Sequence, residues 1–302
     1  MANITAQMIK ELREKTSAGM LDCKKALTAT DGDMEAAVTW LRERGIAKAV
    51  KKASAVAAEG LCSFAIKGNK VVLFELNSQT DFVAQNAKFT DLLAKVGEIL
   101  VNSNATTDEE ALKVEADGKT LETVILEASG VIGEKISLRH VTVLTKNDDE
   151  VFGAYKHMGG RIVTVAVVKG NDEAVAKDVA MHVAALSPKY VSKNDIPADV
   201  VAKEREVILA AALNENKESA KPKPENIIAE RIVPGRLEKN LKEICLLSQA
   251  FVKNPDQTVE AYVQGAKSAV VTFVRLEVGE GIEKVETDFA AEVAAQAGQF
   301  NK

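Results

Sequence analysis

Apolar side chains recur at helical spacing through the first 45 residues of the chain, which predicts three short helices. Thr5 is placed to cap the first helix, Gly19 interrupts the pattern, and Asp31-Gly32-Asp33 separates the second helix from the third. The apolar positions of the three helices are Met8, Ile9 and Leu12, then Leu21, Ala26 and Leu27, then Met34, Ala37, Val38 and Leu41. The pattern closes near Gly45, so we expect a separable helical domain followed by a helical or flexible linker over residues 46–58.

From Gly60 onward, short apolar runs predict strands and an α+β core. The runs LCSFAI and VVLFEL flank Gly68-Asn69, a turn pair that is typical of a hairpin, and two helical segments then precede the strand ISLRHVTVL. A similar order returns from Gly153, where AYKH and RIVTVAVV flank Met158-Gly159-Gly160 and a helix follows. The core is therefore predicted to be duplicated in architecture, with antiparallel sheets.

A last apolar strand, AVVTFVRLEV, must pair with one of these sheets, because an isolated strand would leave its backbone groups unmatched. The segment before it, residues 198–247, is predicted to be an inserted helical hairpin of the coiled-coil type that reverses at Lys221-Pro222-Lys223-Pro224. Its expected facing positions are Val200, Val201, Val207, Ile208 and Ala211 on one arm, and Ile227, Ile228, Ile232, Leu237 and Leu241 on the other.

The predicted organisation has five parts. They are a helical module with its linker at 1–54, a first core subdomain at 55–147, the first part of a second core subdomain at 148–197, the hairpin at 198–247, and the rest of the second subdomain with a C-terminal module at 248–302. The hairpin is a candidate surface for self-association.

Composition indicates a folded protein without a membrane-spanning segment. The 302 residues are 46% hydrophobic, yet no run approaches the roughly 20 apolar residues of a transmembrane helix, and the amino terminus lacks the apolar stretch of a secretion signal. We therefore expect no membrane association and a cytoplasmic location. Cys23, Cys62 and Cys245 are too far apart for a metal pair, so they are interpreted as reduced and structural.

The charge balance argues against a nucleic-acid binder, because the net charge is −5 and aromatic residues make up only 4% of the chain. One basic cluster, Lys48, Lys51 and Lys52, is an exception. It fits contact with a phosphate or an acidic protein face, or a solvated linker.

No pattern of catalytic chemistry is present in the sequence. The segment GVIGEK has the wrong spacing for a phosphate-binding loop, no GxSxG elbow occurs, and His140, His157 and His182 form no ligand pair. We therefore expect no catalytic residue, no metal, no cofactor and no direct nucleotide binding.

The segment NSQTDFVAQN after the strand VVLFEL carries the main candidate site. Thr80 can cap a helix whose first turn holds Asp81 and Phe82. One interpretation packs Phe82 and Val83 under the sheet. The other has Phe82 project from a rigid strand-to-helix corner and insert into a partner, as an interface hot spot does.

Three stretches of the chain resemble the elongation factor Ts family. They are ITAQMIKELREKTSAGMLDCKKALTATDGDMEAAVTWLRERG, which resembles the family's ubiquitin-associated-like (UBA-like) module, then TDFVAQN, which resembles its TDFVA(R/K)N signature, and VRLEVGEGIEK near the carboxyl end. The resemblance as a whole extends from residue 4 to about residue 294. Ser78 and Gln79 depart from the commoner Asn-Cys-Glu, and Gln85 replaces a basic residue.

The resemblance implies a guanine nucleotide exchange factor for the GTPase elongation factor Tu, and not an enzyme. It implies that Asp81 and Phe82, within Thr80–Val83, enter the Tu G domain and disturb its magnesium and phosphate site, so that GDP leaves and GTP can rebind. It implies further Tu contacts at Met20, Leu21 and Lys24 of the helical module, and at Ile132, Gly133, Glu134 and His157 of the core.

Two other classes remain open at this point. A general UBA-type adaptor explains the first 45 residues but not the duplicated core, and binding to Tu or to ubiquitin in a pull-down separates the two. An unrecognised enzyme would reveal itself by turnover of a substrate in the absence of Tu.

Overall fold

The computed structural model describes residues 4–283 with three single-residue gaps. The residues outside the description are 1–3, Ser17, Ala53, Ala220 and 284–302, together with the side chains of Lys48 and Lys51. Most of the predicted basic cluster and the end of the predicted C-terminal module therefore lie outside the described residues.

The chain divides into two compact units and has a mixed α+β fold, with helices at the amino end followed by small antiparallel sheets with helices. The first unit comprises residues 1–63, 74–142 and 277–302, and the second comprises 64–73 and 143–276. Helices of the first unit are α1 Ala6–Thr16, α2 Met20–Ala29, α3 Met34–Lys51, α4 Asp81–Ala84, α5 Ala87–Val101, α6 Asp108–Leu112 and α7 Leu121–Ile132. Helices of the second unit are α8 Glu173–Leu186, α9 Ala198–Lys217, α10 Glu225–Ile227, α11 Val233–Ile244 and α12 Val259–Gly265, with a π-helical turn at Ile228–Ile232 and 3-10 turns at Met158–Gly160, Lys193–Asp195 and Leu246–Ser248. The strands are β1 Glu59–Lys67, β2 Lys70–Ser78, β3 Glu115–Ala116, β4 Lys119–Thr120, β5 Ser137–Thr145, β6 Glu150–His157, β7 Ile162–Lys169, β8 Ala250–Phe251, β9 Asn254–Thr258 and β10 Ala269–Glu277.

The three amino-terminal helices form where the sequence predicts them. Thr5 Oγ1 accepts from Met8 N at 3.3 Å at the start of α1, and Asp33 Oδ1 accepts from Glu35 N at 2.9 Å at the start of α3. Their shared core is built from small and aliphatic side chains, namely Leu12, Cys23, Ala26, Leu27 and Ala37. The predicted caps and the apolar stripe are confirmed.

Helix α3 continues through Gly45 to Lys51, so the first part of the predicted helical or flexible linker is helical and continuous with the third helix. A helical glycine costs about 0.5–1 kcal/mol relative to alanine, which makes a stop there a reasonable expectation. The helix persists because Gly45 packs against Gly130 of α7, a contact between elements that local sequence does not reveal.

Two three-stranded sheets have the orders β1-β2-β5 and β10-β7-β6. In the second sheet, β6 pairs antiparallel with β7 from Glu150↔Lys169 to His157↔Ile162. The last strand, β10, pairs with β7, which confirms that it completes a sheet begun much earlier in the chain. The short pairs β3-β4 and β8-β9 were not predicted, since each contains a two-residue strand.

The segment after α8 contains two long helical arms, α9 and the run from α10 through α11, on either side of the predicted prolines. Their contact is a cluster of Ile208, Ala212, Ile228 and Val233. Val207 is 57% exposed and Ala211 is also exposed, so the two lie at the edge of the contact, where they line a groove with Arg236, Lys239 and Asn240 of the other arm. Each lies one residue, or about 100° of helix, away from the buried stripe.

The three cysteines are free and buried, which confirms their interpretation as reduced structural residues. None of the helices in the described part of the chain combines the length and apolarity needed to cross a membrane.

Candidate partner-binding corner

A tight strand-to-helix corner, residues 79–83, follows β2 directly and carries the main predicted site. Thr80 has an extended backbone (φ −123°, ψ 153°), and its Oγ1 accepts from Val83 N at 3.4 Å, so it caps α4 as predicted. Ser78 Oγ donates to Thr80 O at 2.9 Å. The chain thus changes from strand to helix within two residues.

Phe82 is 82% exposed, and Asp81 beside it is exposed as well. Val83 is half-buried and Ala84 is buried, so α4 packs on the first unit through the side that carries these two residues. The interpretation of Phe82 as a core residue is therefore wrong. Removing a phenylalanine side chain from water is worth about 1.5–3 kcal/mol, and this chain alone leaves that stabilisation unused.

The corner is held from behind by the carboxylate of Glu134, which lies 54 residues further along the chain. Glu134 Oε2 accepts from Gln79 N at 3.1 Å and from Thr80 N at 3.0 Å, and Oε1 accepts from Thr80 Oγ1 at 2.8 Å. Hydrogen bonds to an ionised acceptor are stronger than neutral ones. Glu134 is half-buried, unlike the exposed Asp81 and Phe82.

The segment that carries Glu134 is itself tied down on both sides. Lys135 N donates to Gln79 Oε1 at 3.0 Å, which returns a hydrogen bond to the corner. Ser129 Oγ donates to Glu134 O at 2.5 Å and accepts from Ile136 N at 2.8 Å. The two segments therefore form a reciprocal cross-link.

Of the departures from the family pattern, Gln79 takes part in this cross-link, whereas Ser78 donates to Thr80 O within the corner. A glutamate at position 79 would also offer an acceptor to Lys135 N, but it would bring a second carboxylate close to Glu134. Glutamine keeps the acceptor without that like-charge repulsion. Gln85 ends α4 and is exposed, and its side chain takes no part in the hydrogen bonds of the corner described here.

A buried carboxylate lies in β2, four residues before the corner. Glu75 is fully buried in β2, and its Oε1 accepts from Asn77 Nδ2 at 2.6 Å and from Gly279 N at 2.7 Å. His140 Nδ1 is 2.9 Å from Glu75 Oε2. This network fixes the end of β2 and fastens the turn at Gly279 to the same sheet.

The predicted residues of the helical module lie on α2, on a different element of the first unit. Leu21 is 74% exposed and Met20 is 60% exposed, although both are large apolar residues, and Lys24 is exposed. Gly19, the N-cap, makes no side-chain cap hydrogen bond, because it has no side chain to cap with. An exposed apolar pair at a helix start is a feature of interaction surfaces.

The remaining predicted residues divide between the two units. Ile132 is half-buried at the end of α7, and Gly133 follows as a left-handed C-cap with φ 89°. His157 is exposed at the end of β6 in the second unit, with Nδ1 3.4 Å from Tyr155 Oη. In the described part of the chain, no three His, Cys, Asp or Glu side chains form a group that could hold a metal ion.

The family resemblance implied Glu134 as a partner contact, and its bonds to the corner were not recognised. No local signal links the two segments, since they are 54 residues apart in sequence and only the fold brings them together. Ser129 was missed for the same reason.

Comparison with known proteins places the chain beside one family. The family model described as "Elongation factor TS" matches residues 79–280. The protein named "Elongation factor Ts" from Acholeplasma laidlawii (strain PG-8A) is 54% identical over 297 residues, which cover 98% of this chain and 99% of that protein.

Proposed function

The chain belongs to the elongation factor Ts family, and we propose that its corner, residues 79–83, is the part that forces nucleotide out of the partner GTPase. Elongation factor Ts is the nucleotide exchange factor for elongation factor Tu, so the chain is a translation elongation factor and not a catalytic enzyme.

The observation that carries the proposal is the exposure of Phe82 on a rigid support. An aromatic side chain that is 82% exposed next to an exposed carboxylate has the chemistry of an interface anchor with one charged neighbour. Phe82 would insert between two helices of the Tu G domain, and Asp81 would repel or displace groups around the magnesium ion. That ion is the largest local charge that stabilises the bound diphosphate, so displacing it strongly weakens GDP binding.

The mechanism needs no contact between this chain and the nucleotide. If the chain weakens GDP binding to Tu by some factor, GDP weakens the binding of the chain to Tu by the same factor. Each tenfold change in affinity corresponds to ~1.4 kcal/mol. GTP then rebinds to the emptied site, and its abundance sets the direction of exchange.

Other surfaces would supply affinity to the complex. The exposed pair Met20 and Leu21, with Lys24 nearby, supports the proposal that the helical module anchors the chain on the G domain. We also propose Ile132, Gly133 and His157 as further contacts with Tu. Glu134 follows Gly133 directly in the chain.

The architecture supports a separate role for each predicted domain. We propose that residues 1–54 form a UBA-like module, that 55–147 and 148–197 with 248–302 form a duplicated core, and that 198–247 form a coiled-coil hairpin used for homodimer contact. The shared order of hairpin, helix and third strand, with the third strand beside the second, supports the duplication. As for its family, we propose the cytoplasm as the compartment.

The test is the release of labelled GDP from purified Tu at saturating concentrations of the chain. The wild-type chain should accelerate release strongly, and Phe82→Ala and Asp81→Ala should lose most of that acceleration. Full acceleration by both variants would show that the corner does not cause GDP release.

A further inference from the structure

The corner contains backbone donors that neither of its neighbouring elements can satisfy. Strand β2 ends at Ser78 and α4 begins at Asp81, so Gln79 N and Thr80 N lie between a sheet and a helix. Helix α4 has only four residues, too few to be stable by its own hydrogen bonds. The geometry of Phe82 must therefore be fixed from outside the corner.

Glu134 supplies that support. It also determines the direction in which the Thr80 hydroxyl donates its hydrogen bond. Its Oε1 accepts a hydrogen bond from the Thr80 hydroxyl at 2.8 Å, which leaves an oxygen lone pair of Thr80 directed to Val83 N. Without an acceptor at this place, the hydroxyl can rotate and offer its proton elsewhere. One carboxylate thus orders two backbone donors and the cap of the helix that carries Phe82.

We infer that Glu134 is a positioning residue for exchange: it holds Asp81 and Phe82 in the orientation needed to enter the GTPase. The inference rests on the proposed function of the corner. It differs from a direct contact because the carboxylate is half-buried and both its oxygens are already engaged within the chain.

Preorganisation explains why such a residue matters for the rate. A flexible corner must be ordered when it enters the partner, and that ordering reduces the energy available to displace GDP. Anchoring by other surfaces is unaffected. Loss of Glu134 should therefore lower the maximal rate of GDP release and leave the concentration of chain at half-saturation nearly unchanged.

The same chain offers a matched control at Glu110. Its Oε2 accepts from Thr106 N at 2.9 Å and from Thr106 Oγ1 at 3.0 Å, so it makes the same kind of bonds to a backbone amide and a threonine hydroxyl. Glu110 lies in α6 and not at the corner. Glu110→Gln should lose comparable hydrogen bonds without a change in exchange.

The experiment measures stopped-flow GDP release from Tu over a range of full-length chain concentrations, with thermal melts of each variant. Glu134→Gln should lower the saturating rate about tenfold, equivalent to ~1.4 kcal/mol, whereas Glu110→Gln should match wild type. If Glu134→Gln does not fold, Thr80→Val removes the hydroxyl alone and should slow release in the same way.

A combined variant separates positioning from other roles. In the Asp81→Ala/Phe82→Ala background, Glu134→Gln should have almost no further effect on release, because it acts only through the two missing side chains. An equal effect in both backgrounds, an unchanged saturating rate, or a change confined to half-saturation would overturn the inference. Full exchange by Asp81→Ala/Phe82→Ala would instead refute the proposed function.

Discussion

Gly45 of α3 and Gly130 of α7 meet at a helix crossing where a Cβ on Gly130 would lie 2.5 Å from the carbonyl carbon of Gly45. A Cβ on Gly45 would meet its nearest neighbour in Gly130 at 3.5 Å, an ordinary contact. Arg42 of α3 also pairs with Glu127 of α7, which Lys119 contacts at 2.8 Å. The helical module is thus packed onto α7 within one compact unit.

This asymmetry predicts opposite effects for two similar substitutions. Gly45→Ala should leave stability unchanged or raise it by up to about 1 kcal/mol, because alanine favours a helix and fits the space. Gly130→Ala should cost about 1–3 kcal/mol, because the methyl group overlaps backbone that cannot move aside easily. Urea unfolding of the two variants and wild type measures both. Equal changes in the free energy of unfolding would mean that the helix crossing has room for a methyl group at position 130.

Phe82→Ala should leave the melting temperature within about 1–2 °C of wild type, because an exposed side chain contributes little to stability. A core phenylalanine would instead cost about 3–5 kcal/mol. Phe89, which is fully buried in α5, provides the comparison: Phe89→Ala should show the large loss. A large fall in stability for Phe82→Ala, with exchange per folded molecule unaltered, would contradict the assignment of Phe82 to the partner surface.

Replacing residues 198–241 by a short linker should preserve GDP release and reduce self-association. The ends of the segment lie close together, because Ile196 just before it and Leu241 at its end belong to one buried cluster. A short linker can therefore join them without distortion. Sedimentation measures the mass of the assembly, and the GDP-release assay measures activity. Loss of exchange by a folded deletion variant would contradict the division of labour.

Stability should fall as pH falls below about 6.5 because of His182. The ring is fully buried, and its Nδ1 accepts from Val252 N at 3.1 Å while Nε2 lies 2.9 Å from Gln249 Oε1. Burial lowers the pKa of His182, and the hydrogen bond to Gln249 opposes this only in part. Since the unfolded chain binds the proton first, the stabilisation is present above the unfolded pKa and is lost as pH falls through the folded pKa.

The check is the urea midpoint between pH 7.5 and 5.0. The decline should be smaller in His182→Gln than in wild type. His157→Gln, which changes an exposed ring, should keep the wild-type decline. A wild-type decline in His182→Gln would show that other groups cause the pH dependence.

Features set by neighbouring residues were predictable from the sequence. Thr5, Asp33 and Thr80 cap helices because a side-chain oxygen reaches an amide two or three residues later. Helices α5 and α7 form where two helical segments were predicted, and the hairpin between β6 and β7 follows from two glycines after Met158. In each case the physical cause lies within a few residues of the signal.

Features set by distant residues were not predictable. Helix α3 runs past Gly45 because of Gly130, and the corner is fixed by Glu134, so both depend on partners more than 50 residues away. The exposure of Val207 was not predictable, because an apolar residue at the edge of the stripe looks the same in sequence as one at its centre. The exposure of Phe82 was likewise open, since burial depends on what the rest of the chain leaves uncovered.

The place of β10 has a consequence for synthesis on the ribosome. Strand β7 ends at Lys169, and β10, its partner, begins at Ala269, about 100 residues later. At about 5–20 residues per second, the nascent β7 has an open edge for roughly 5–20 s. An open edge can pair with other chains, whereas the helical arms that emerge meanwhile fold by local contacts. The yield of folded protein is therefore set in part by how quickly translation, the process this factor serves, delivers the missing strand.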